Sequence, residues 1–420
     1  MTTLDVAVRT TCRACGEPIQ PFLDLGPLRL NAFPATLEAV DAVPQVPLTL
    51  CGCVGCGLVQ LDRTVPPDRL YREYWYRSGV NESMVAELQA IVEEACDLAR
   101  PARGASVLDI GANDGTLLAH YKVVDPSLRR YANEPAANLL QRLNAHAEVI
   151  DTEYFPSRMD GAPYQIITAV AVCYDLGDPT AFFQAIHDQL APYGVAIVQF
   201  QDFGQQLSAA AFDNCVHEHL EYYTLWSLSY ILRQTGLSIQ RVQRRAINGG
   251  SLRVILRRQE DQFPAEASVA VQLIREGEQS LDTPTLRRGN PVAFQRFHDQ
   301  VQRVQTQIRT VLEQVREAGQ ILDIYGGSTK GNITLQILGI GPTEARQAID
   351  RSAEKHGRYT ITGIPIVSEK VARAKPADVW FCPIWQFKAG VLKREADFLR
   401  GGGTIIFPLP GVEIVRDHLG

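Results

Sequence analysis

Titratable side chains are most concentrated in residues 212–223, which have the sequence FDNCVHEHLEYY. An imidazole beside a carboxylate can act as a base near neutral pH, and tyrosine hydroxyls can donate hydrogen bonds to a developing oxyanion. Two alternatives stay open. One is a metal site, although His-Glu-His lacks the HExxH spacing and alternate positions do not face one site on a helix. The other is a polar cluster without chemistry. The candidate catalytic residues of this segment are His219, Glu218, His217 and Tyr222, and Tyr223 is a candidate for contact with a substrate.

A glycine turn follows an apolar run at 106–110 and precedes a second apolar run, a pattern that predicts strand, turn and helix. Glycines at 111 and 115 would let a ligand approach the backbone closely. Glu134 stands about 20 residues further on, where an acidic side chain can accept hydrogen bonds from ribose hydroxyls.

This first turn favours a cationic nucleoside over a dinucleotide. Its glycine spacing is not GxGxxG, and the carboxylates of Asp109 and Asp114 would repel the pyrophosphate that a dinucleotide turn holds. We therefore predict S-adenosylmethionine as the cofactor instead of NAD. The alternative is a strand–turn–helix that binds nothing. The candidate cofactor-binding residues are Asp109, Gly111, Asn113, Gly115 and Glu134.

A second glycine turn, YGGSTKGN at 325–332, also lies between a strand-like run and a helical run. Backbone amides at a helix start, two hydroxyls and an ammonium group would bind a phosphate or diphosphate. The lysine follows the two hydroxyl residues instead of preceding them, so this is not a Walker A loop. A tight turn without a ligand is the alternative. The candidate substrate-binding residues of this turn are Ser328, Thr329, Lys330 and Asn332.

Five of the nine cysteines fall within the first 56 residues. Cys12 and Cys15 form one CxxC pair, and Cys53 and Cys56 form a second. Four thiolates suit tetrahedral Zn²⁺ with no open position, which predicts a structural metal site. Unbound thiols are the alternative, and a register in which Cys51 replaces Cys53 stays open. Because so short a segment has little core, the metal would supply much of its folding energy.

Strand-like and helical runs alternate along the chain and must position these motifs. A helix is predicted over 81–100 and ends before Pro101. This alternation is typical of parallel sheets with helices on their faces. Residues 265–318 are predicted to form a helical connector that packs on the second unit. The predicted strands lie at 106–111, 130–134, 147–151, 164–172, 194–200, 320–327, 345–352, 378–383 and 401–410, with a helix at 332–340.

The composition of the 420 residues excludes several classes of protein. Hydrophobic residues make up 45% and charged residues 21%, so a buried core is expected instead of disorder. A net charge of −6 argues against bulk binding to nucleic acid or to an anionic membrane. The sequence contains no run of about 18 apolar residues, so we expect no transmembrane helix. Its start has no apolar signal core. We expect a cytoplasmic monomer with a small-molecule substrate and neither nucleic-acid nor membrane partners.

The order of the motifs resembles that of the three-domain sugar C-methyltransferases, which act on nucleotide-linked 4-keto deoxysugars in antibiotic and polysaccharide pathways. The resemblance implies an α/β fold with a zinc-binding domain over 1–70, a Rossmann-like class I methyltransferase domain over 71–260 and a Rossmann-like α/β domain over 261–420. The last domain would help to hold the nucleotide-linked sugar. The matching segments are the two cysteine pairs, YWYRSG at 74–79, LDIGANDG at 108–115, HEHLEY at 217–222, NGGSLR at 248–253, GGSTKGN at 326–332 and GGGTIIFPLP at 401–410.

The resemblance also implies roles for individual residues. His219 matches the family's base, the second histidine of a YHEH motif, and the tyrosine implied in the segment before the middle domain falls at Tyr76, with Tyr74 as the alternative. The sequence differs from the family where the substrate would be recognised. Val216 stands at the position of the YHEH tyrosine, residues 172–179 replace an xxAHVPD segment, and residues 383–387 replace a PWHF-like one.

Together with the residues above, the resemblance implies methylation of the carbon next to a ketone. His219 would remove the α-proton, and Tyr222, Tyr223 or Tyr76 would stabilise the enolate oxygen before the carbon attacks the sulfonium methyl group. One alternative is O- or N-methylation of another small molecule on the same scaffold. Another is a binding protein without catalysis, against which the intact cofactor turn argues.

Overall fold

The computed structural model describes residues 4–263 and 291–416, with the side chains of the second stretch described from residue 295. Five strands and two short helices build the cysteine-rich first unit. Its elements are β1 (Ala7–Val8), β2 (Ile19–Arg29), α1 (Leu37–Asp41), β3 (Gln45–Cys53), β4 (Val59–Leu61), β5 (Arg63–Thr64) and α2 (Asp68–Tyr71).

The main sheet of this unit is antiparallel and takes one strand from far along the chain. β1 pairs with β5, while β2, β3 and β4 pair in order. The fourth strand is Glu221–Tyr222, whose residues pair with Gln60 and Val59 of β4. The segment that carries the two histidines is therefore attached to the cysteine-rich unit.

Helix α3 (Glu82–Ala99) confirms the helix predicted for this stretch. The side chain of Asn81 accepts a hydrogen bond from the backbone N–H of Ser83 at 3.1 Å, which satisfies one of the free donors of the first turn. Arg100 ends the helix in the left-handed conformation at φ 44°, and Pro101 follows. The buried face of α3 consists of Met84, Glu87, Leu88, Ile91, Val92 and Ala95.

The middle unit is a seven-stranded sheet in which the five strands predicted by alternation are parallel. β13 is antiparallel to both its neighbours, β10 and β12, and this edge pair was not predicted. Strand order reverses between β6 and β9, which is where α/β sheets bind ligands. The seven strands of the sheet pair in the order β12-β13-β10-β9-β6-β7-β8. The elements of this part of the chain are β6 (Ser106–Ile110), α4 (Thr116–Val124), β7 (Arg129–Asn133), α5 (Leu140–Leu143), β8 (Val149–Asp151), β9 (Tyr164–Val170), α6 (Pro179–Gln189), β10 (Leu190–Gln201), α7 (Phe203–Ser208), β11 (Glu221–Tyr222), α8 (Leu225–Leu232), β12 (Leu237–Arg245) and β13 (Ser251–Arg258).

The last unit is a second doubly wound sheet with strand order β16-β15-β14-β17-β18-β19, parallel except for β19. The long helix α9 confirms the helical character predicted for the connector, of which residues 265–290 lie outside the described residues. The elements are α9 (Pro291–Glu317), β14 (Leu322–Tyr325), α10 (Thr329–Leu338), β15 (Ala348–Ile349), β16 (Ile366–Val367), α11 (Glu369–Ala374), β17 (Val379–Phe381), α12 (Lys388–Arg394), α13 (Ala396–Arg400), β18 (Thr404–Phe407) and β19 (Glu413–Arg416).

One hydrophobic cluster joins all three units and fixes their relative positions. Leu48 of β3, Val216 beside the histidines, Phe297 of α9 and Ile333 of α10 all belong to it and are buried. Hydrophobic burial of this kind stabilises by about 25 cal/mol per Å² of apolar surface removed from water. Within 4–263 and 291–416, no helix combines the length and the apolar character needed to cross a membrane.

Candidate active site

The four predicted cysteine ligands come together at one point. Their sulfur atoms lie within 4.8 Å of one another, with Cys12 Sγ 3.6 Å from Cys56 Sγ and Cys15 Sγ 3.4 Å from Cys53 Sγ. Tetrahedral zinc with Zn–S bonds of about 2.3 Å places its sulfurs about 3.8 Å apart, so the donor set fits the ion. Cys51 is not part of the cluster, which confirms the register chosen from the sequence.

Each cysteine pair is followed by a glycine that completes the turn. Gly16 and Gly57 adopt φ 76° and φ 75°, and their N–H groups donate to the carbonyl oxygens of Cys12 and Cys53. The left-handed conformation favours glycine at both positions. The two turns therefore have the same local structure and present four sulfurs to one closed site, which leaves no coordination position for a substrate.

The first glycine turn lies at the carboxyl end of β6, as predicted. Gly111 adopts φ 68°, and a Cβ atom there would lie 3.0 Å from the side chain of Val172. Glu134 directly follows β7 and accepts hydrogen bonds from the backbone N–H groups of Asn113 at 2.7 Å and Ala136 at 2.8 Å. Both carboxylate oxygens are thus held in place beside the turn, and each retains a lone pair for a hydroxyl group.

Two buried carboxyl groups make this end of the cavity acidic. Burial raises the pKa of Glu134, although its two backbone donors act in the opposite direction. Burial also raises the pKa of Asp109 to about 7, against the hydrogen bond that its Oδ1 accepts from Thr168 at 2.7 Å. A cation bound here would restore the ionised forms. The donor set therefore fits a positively charged nucleoside better than a phosphate.

The same turn fixes the segment that carries Tyr76. The side chain of Asn113 donates to the carbonyl oxygen of Tyr76 at 3.1 Å and accepts from the N–H of Ser78 at 3.0 Å. Asp114 accepts from the N–H of Gly79 at 3.0 Å. Gly115 is not among the residues that line the cavity; it precedes α4 at φ 80°, and a Cβ atom there would lie 2.9 Å from the side chain of His146. Asn113 thus orders the wall of the cavity beside the cofactor turn.

One cavity receives residues from all three units. It encloses about 1400 Å³ of empty space, part of which is open to solvent. Among the described residues that line it, Lys330 and His219 are the only basic ones. Of the predicted site residues, it brings together Tyr76, Asp109, Gly111, Asn113, Glu134, Glu218, His219, Thr329 and Lys330.

His219 lies in the wall of this cavity and is half-buried. Its Nδ1 atom lies 3.2 Å from the carbonyl oxygen of Asn214, and its ring contacts that of Tyr174 edge to face, with centroids 4.4 Å apart. Burial and the ammonium of Lys330 lower the imidazole pKa to about 3, against the Asn214 carbonyl, which acts to raise it. The ring is therefore neutral at pH 7.

Lys330 lies in the same wall and belongs to helix α10 of the last unit. Its Nζ donates to the carbonyl oxygen of Asn248 at 3.2 Å, and the carboxylate of Asp213 faces it. Burial lowers the pKa of Lys330, whereas the negative charge of Asp213 raises it. Asp213 in turn accepts hydrogen bonds from Trp385 at 2.9 Å and Gln386 at 3.0 Å. This network joins the middle and last units beside the histidine.

Several predicted residues lie outside this cavity. The Nε2 atom of His217 lies 2.9 Å from the carbonyl oxygen of Val46, so this ring contacts the first unit. The hydroxyl of Tyr223 donates to Glu221 at 3.0 Å, and Tyr222 packs against Phe203. The structure thus gives these three side chains contacts in the protein interior instead of contacts with the cavity.

Two residues of the second glycine turn also have other partners. The side chain of Asn332 donates to the carbonyl oxygen of Ala32 at 3.1 Å and accepts from the N–H of Ile361, which ties the first unit to the last. Ser328 begins α10 by accepting from the N–H of Gly331 at 2.9 Å. Ser328 lines a second cavity instead of the first.

This second cavity adjoins the first, since Tyr76, Asn248 and Thr329 line both. It encloses about 2030 Å³ of empty space and lies at the carboxyl ends of β14 and β15. β15 and β17 lie on opposite sides of β14, so this end of the sheet is a second switch point. Lys355, Arg77, Arg351 and Arg394 are among the residues that line it, which gives it a basic wall.

Several residues of the first cavity belong to no motif recognised in the sequence. Asn31 donates to Glu218 at 3.0 Å, and the hydroxyl of Tyr71 donates to the backbone carbonyl of Glu218. Tyr174 and Asp175 come from the loop after β9. Their only signal was that residues 172–179 differ from the xxAHVPD segment of the family that the sequence resembles.

Family models match nearly the whole chain. Residues 12–71 match a model described as "Putative zinc binding domain", residues 76–242 a "Methyltransferase domain", and residues 246–410 a "C-methyltransferase C-terminal domain". The C-methyltransferase NovU of Streptomyces niveus is 25% identical over 422 residues, which cover 96% of this chain and 96% of that protein.

Solved structures resemble part of the chain. An S-adenosylmethionine-dependent methyltransferase from Clostridium acetobutylicum ATCC 824 is 11% identical with a TM-score of 0.35, covering 41% of this chain and 91% of that one. Magnesium protoporphyrin IX methyltransferase from Synechocystis PCC 6803, with bound S-adenosylmethionine, is 14% identical with a TM-score of 0.32, covering 42% and 78%.

Proposed function

Since the chain belongs to the three-domain S-adenosylmethionine-dependent C-methyltransferases with an N-terminal zinc-binding domain, we propose that it methylates the carbon next to the ketone of a nucleotide-linked deoxysugar. The observation that carries this proposal is that the neutral imidazole of His219 and the cofactor turn at Gly111 line one cavity. The proposed active form is a monomer, with units at 1–70, 71–260 and 261–420.

The residues at the carboxyl end of β6 and β7 would hold the cofactor. Glu134 would accept hydrogen bonds from the ribose hydroxyls, and the backbone at Gly111 would lie against the nucleoside. Asp109 and Glu134 would favour the positive charge of a sulfonium. When bound, S-adenosylmethionine supplies the methyl group, which forms a bond to the carbon nucleophile as its bond to sulfur breaks and S-adenosylhomocysteine is left.

His219 is the proposed base. Its Nε2 would take the proton from the carbon next to the ketone, and the C–H electron pair would form the double bond of an enolate. A free imidazole with a pKa of about 3 is a weak base. Because the charge of Lys330 contributes to that low value, an anionic substrate group beside this lysine would raise the pKa and strengthen the base.

The second cavity is the proposed position of the nucleotide. It meets the first cavity at Thr329, where helix α10 begins. The N-terminus of α10 and the ammonium of Lys330 would bind the diphosphate, which would place the sugar toward His219 and the nucleoside toward the switch point of the last sheet. This arrangement supports a substrate with a neutral reactive end and an anionic middle.

Of the tyrosines expected to stabilise the enolate oxygen, Tyr76 is the one that lines the cavity, while Tyr222 and Tyr223 contact other parts of the interior. Tyr74, the alternative to Tyr76, lines it as well. We therefore assign oxyanion contacts to the segment that Asn113 holds in place. A hydroxyl donor at this position would act on charge that develops only as the proton leaves.

The direct test incubates the protein with isotopically labelled S-adenosylmethionine and a panel of nucleotide-linked ketosugars, and locates the label by mass spectrometry and NMR. We expect the label on carbon next to the ketone. In deuterium oxide without methyl donor, we expect exchange of the α-proton by the wild-type protein and none by His219→Gln. Label on oxygen or nitrogen would reject C-methylation. Methyl transfer by a wild-type protein that does not exchange the α-proton would reject the enolate.

A further inference from the structure

Two carboxyl groups of the first cavity have oxygen atoms without hydrogen-bond partners. Oδ1 of Asp175 and Oε2 of Glu218 are buried and unpaired, and both residues line the cavity. Glu218 is only 7% exposed, and its other oxygen accepts from Asn31 at 3.0 Å. Leaving a buried polar atom unpaired costs about 1–3 kcal/mol, so a ligand that contacts these atoms recovers free energy.

Backbone hydrogen bonds hold the two acids in a fixed relative position. The N–H groups of Leu220 and Glu221 both donate to the carbonyl oxygen of Tyr174, at 2.7 Å and 3.2 Å. Asp175 therefore belongs to a turn that is fastened directly to the segment of Glu218. The contact joins the loop after β9 to the two-histidine segment at the wall of the cavity.

Within 4–263 and 291–416, the titratable groups that interact with this pair include no cation. They are the phenols of Tyr71, Tyr74, Tyr174 and Tyr222, the thiol of Cys173 and the carboxyl of Glu221. Glu221 has its own partner, Arg13, at 3.6 Å. Lys330 is hydrogen-bonded to Asn248 and faces Asp213.

Ionising both carboxyl groups in a buried site without a cation costs free energy, because burial and mutual repulsion both disfavour the charged forms. Burial raises the pKa of Asp175, and the negative charges of Glu218 and Glu221 raise it further. Burial also raises the pKa of Glu218, against the hydrogen bond from Asn31.

We propose that Asp175 and Glu218 together keep one proton at pH 7, and that Asp175 is a catalytic residue that donates a hydrogen bond to the carbonyl oxygen of the substrate. This inference rests on the proposed function. Val216, which lines the same cavity, has an aliphatic side chain and offers no hydrogen-bond donor. As His219 takes the α-proton, the C–H electron pair enters the new double bond and the negative charge on oxygen is stabilised by the carboxylic acid of Asp175.

The shared proton can be tested without a substrate by infrared spectroscopy at pH 7. A protonated carboxylic acid has a carbonyl stretch that is well separated from carboxylate bands. We expect this band in the difference between wild type and Asp175→Asn, and in the difference between wild type and Glu218→Gln. Asp178→Asn is the matched control, because it lies three residues further on, is exposed, and keeps an N-cap side chain on α6. Absence of the band from both differences overturns the shared proton.

The donor role is tested by comparing Asp175→Asn with Asp175→Leu in methyl transfer to a ketosugar. The asparagine keeps an N–H donor, so we expect activity within about tenfold of wild type and a fall at alkaline pH that moves to higher pH. The leucine has no donor, and we expect kcat to fall by about 10² to 10³ while the Kd for S-adenosylmethionine is unchanged. Equal losses in both variants, or normal activity of Asp175→Leu, overturn the role.

The two hypotheses fail in different ways. If the wild-type protein labels no ketosugar carbon, the proposed function fails, and the catalytic assignment of Asp175 fails with it. If carbon is labelled normally but the infrared band is missing, the proposed function stands, while the shared proton and with it the hydrogen bond donated by Asp175 are overturned.

Discussion

The Nδ1 atom of His219 lies 3.2 Å from the backbone carbonyl oxygen of Asn214. A carbonyl oxygen can only accept a hydrogen bond, so Nδ1 carries the hydrogen and Nε2 keeps its lone pair. Because burial and Lys330 lower the imidazole pKa to about 3, this tautomer is neutral at pH 7. The contact therefore sets which nitrogen can act as the base.

Replacement of His219 by Gln should remove proton transfer without disturbing the cofactor turn. We expect turnover to fall by about 10² to 10⁴, which is the usual contribution of a general base. The Kd for S-adenosylmethionine, measured by calorimetry, should stay the same because Gly111 and Glu134 are untouched. His187→Gln, on the half-buried surface of α6, is the control and should be fully active. Normal turnover of His219→Gln would exclude the assigned base.

Replacement of Lys330 by Met should move the acidic limb of the kcat/KM profile to higher pH. The positive charge of Lys330 lowers the pKa of His219, so removing it raises that pKa and the base becomes protonated at less acidic pH. kcat/KM against pH reports this group in the free enzyme. Lys355→Met removes the same charge from the second cavity and should leave the limb in place. An unchanged limb in Lys330→Met would contradict the coupling.

Local patterns in the sequence predicted the strands, the turns and the metal cluster. Gly111, Glu134 and Lys330 follow strand-like runs, and parallel strands bring their carboxyl ends to one edge of a sheet. The four clustered cysteines lie in two short turns with the same local structure. These features depend on residues that are close in the sequence or on the repeated order of strand, turn and helix. The spacing of the residues was therefore enough to locate them.

Features that depend on pairing between distant segments could not be predicted in the same way. Tyr222 and Tyr223 follow the histidines directly, yet Glu221–Tyr222 forms a strand with β4 of the first unit. Successive side chains of a strand point to opposite faces, so Tyr222 packs on Phe203 and Tyr223 on Phe200. Asp175 belongs to no motif, and only the folded structure places it in the same cavity as Glu218.

Replacement of Glu134 by Ala should weaken the binding of S-adenosylmethionine by more free energy than it removes from the free energy of unfolding. Its carboxylate fixes the N–H groups of Asn113 and Ala136, and it is the proposed acceptor for the ribose hydroxyls. Charged hydrogen bonds contribute about 1.5–3 kcal/mol each, so the Kd for S-adenosylmethionine should rise by about 10- to 100-fold. Glu134→Gln, which keeps acceptor oxygen, should lose less. Glu153→Ala, at an exposed side chain nearby, is the control. An unchanged Kd in Glu134→Ala would reject the ribose contact.

Replacement of Cys53 by Ser should release zinc and also reduce methyl transfer, although the metal has no open position for chemistry. The reason is structural, because Val59 and Gln60 follow the second cysteine turn closely and pair with the strand Glu221–Tyr222, which begins two residues after His219. Loss of a structural metal is among the most destabilising changes, with a cost above about 4 kcal/mol. We expect less than one zinc per chain by mass spectrometry, a lower Tm, and turnover that falls together with it. Cys51→Ala, at a buried thiol of β3 outside the cluster, should keep its zinc and its activity. Full activity of a zinc-free Cys53→Ser protein would show that the histidine segment is positioned without the metal.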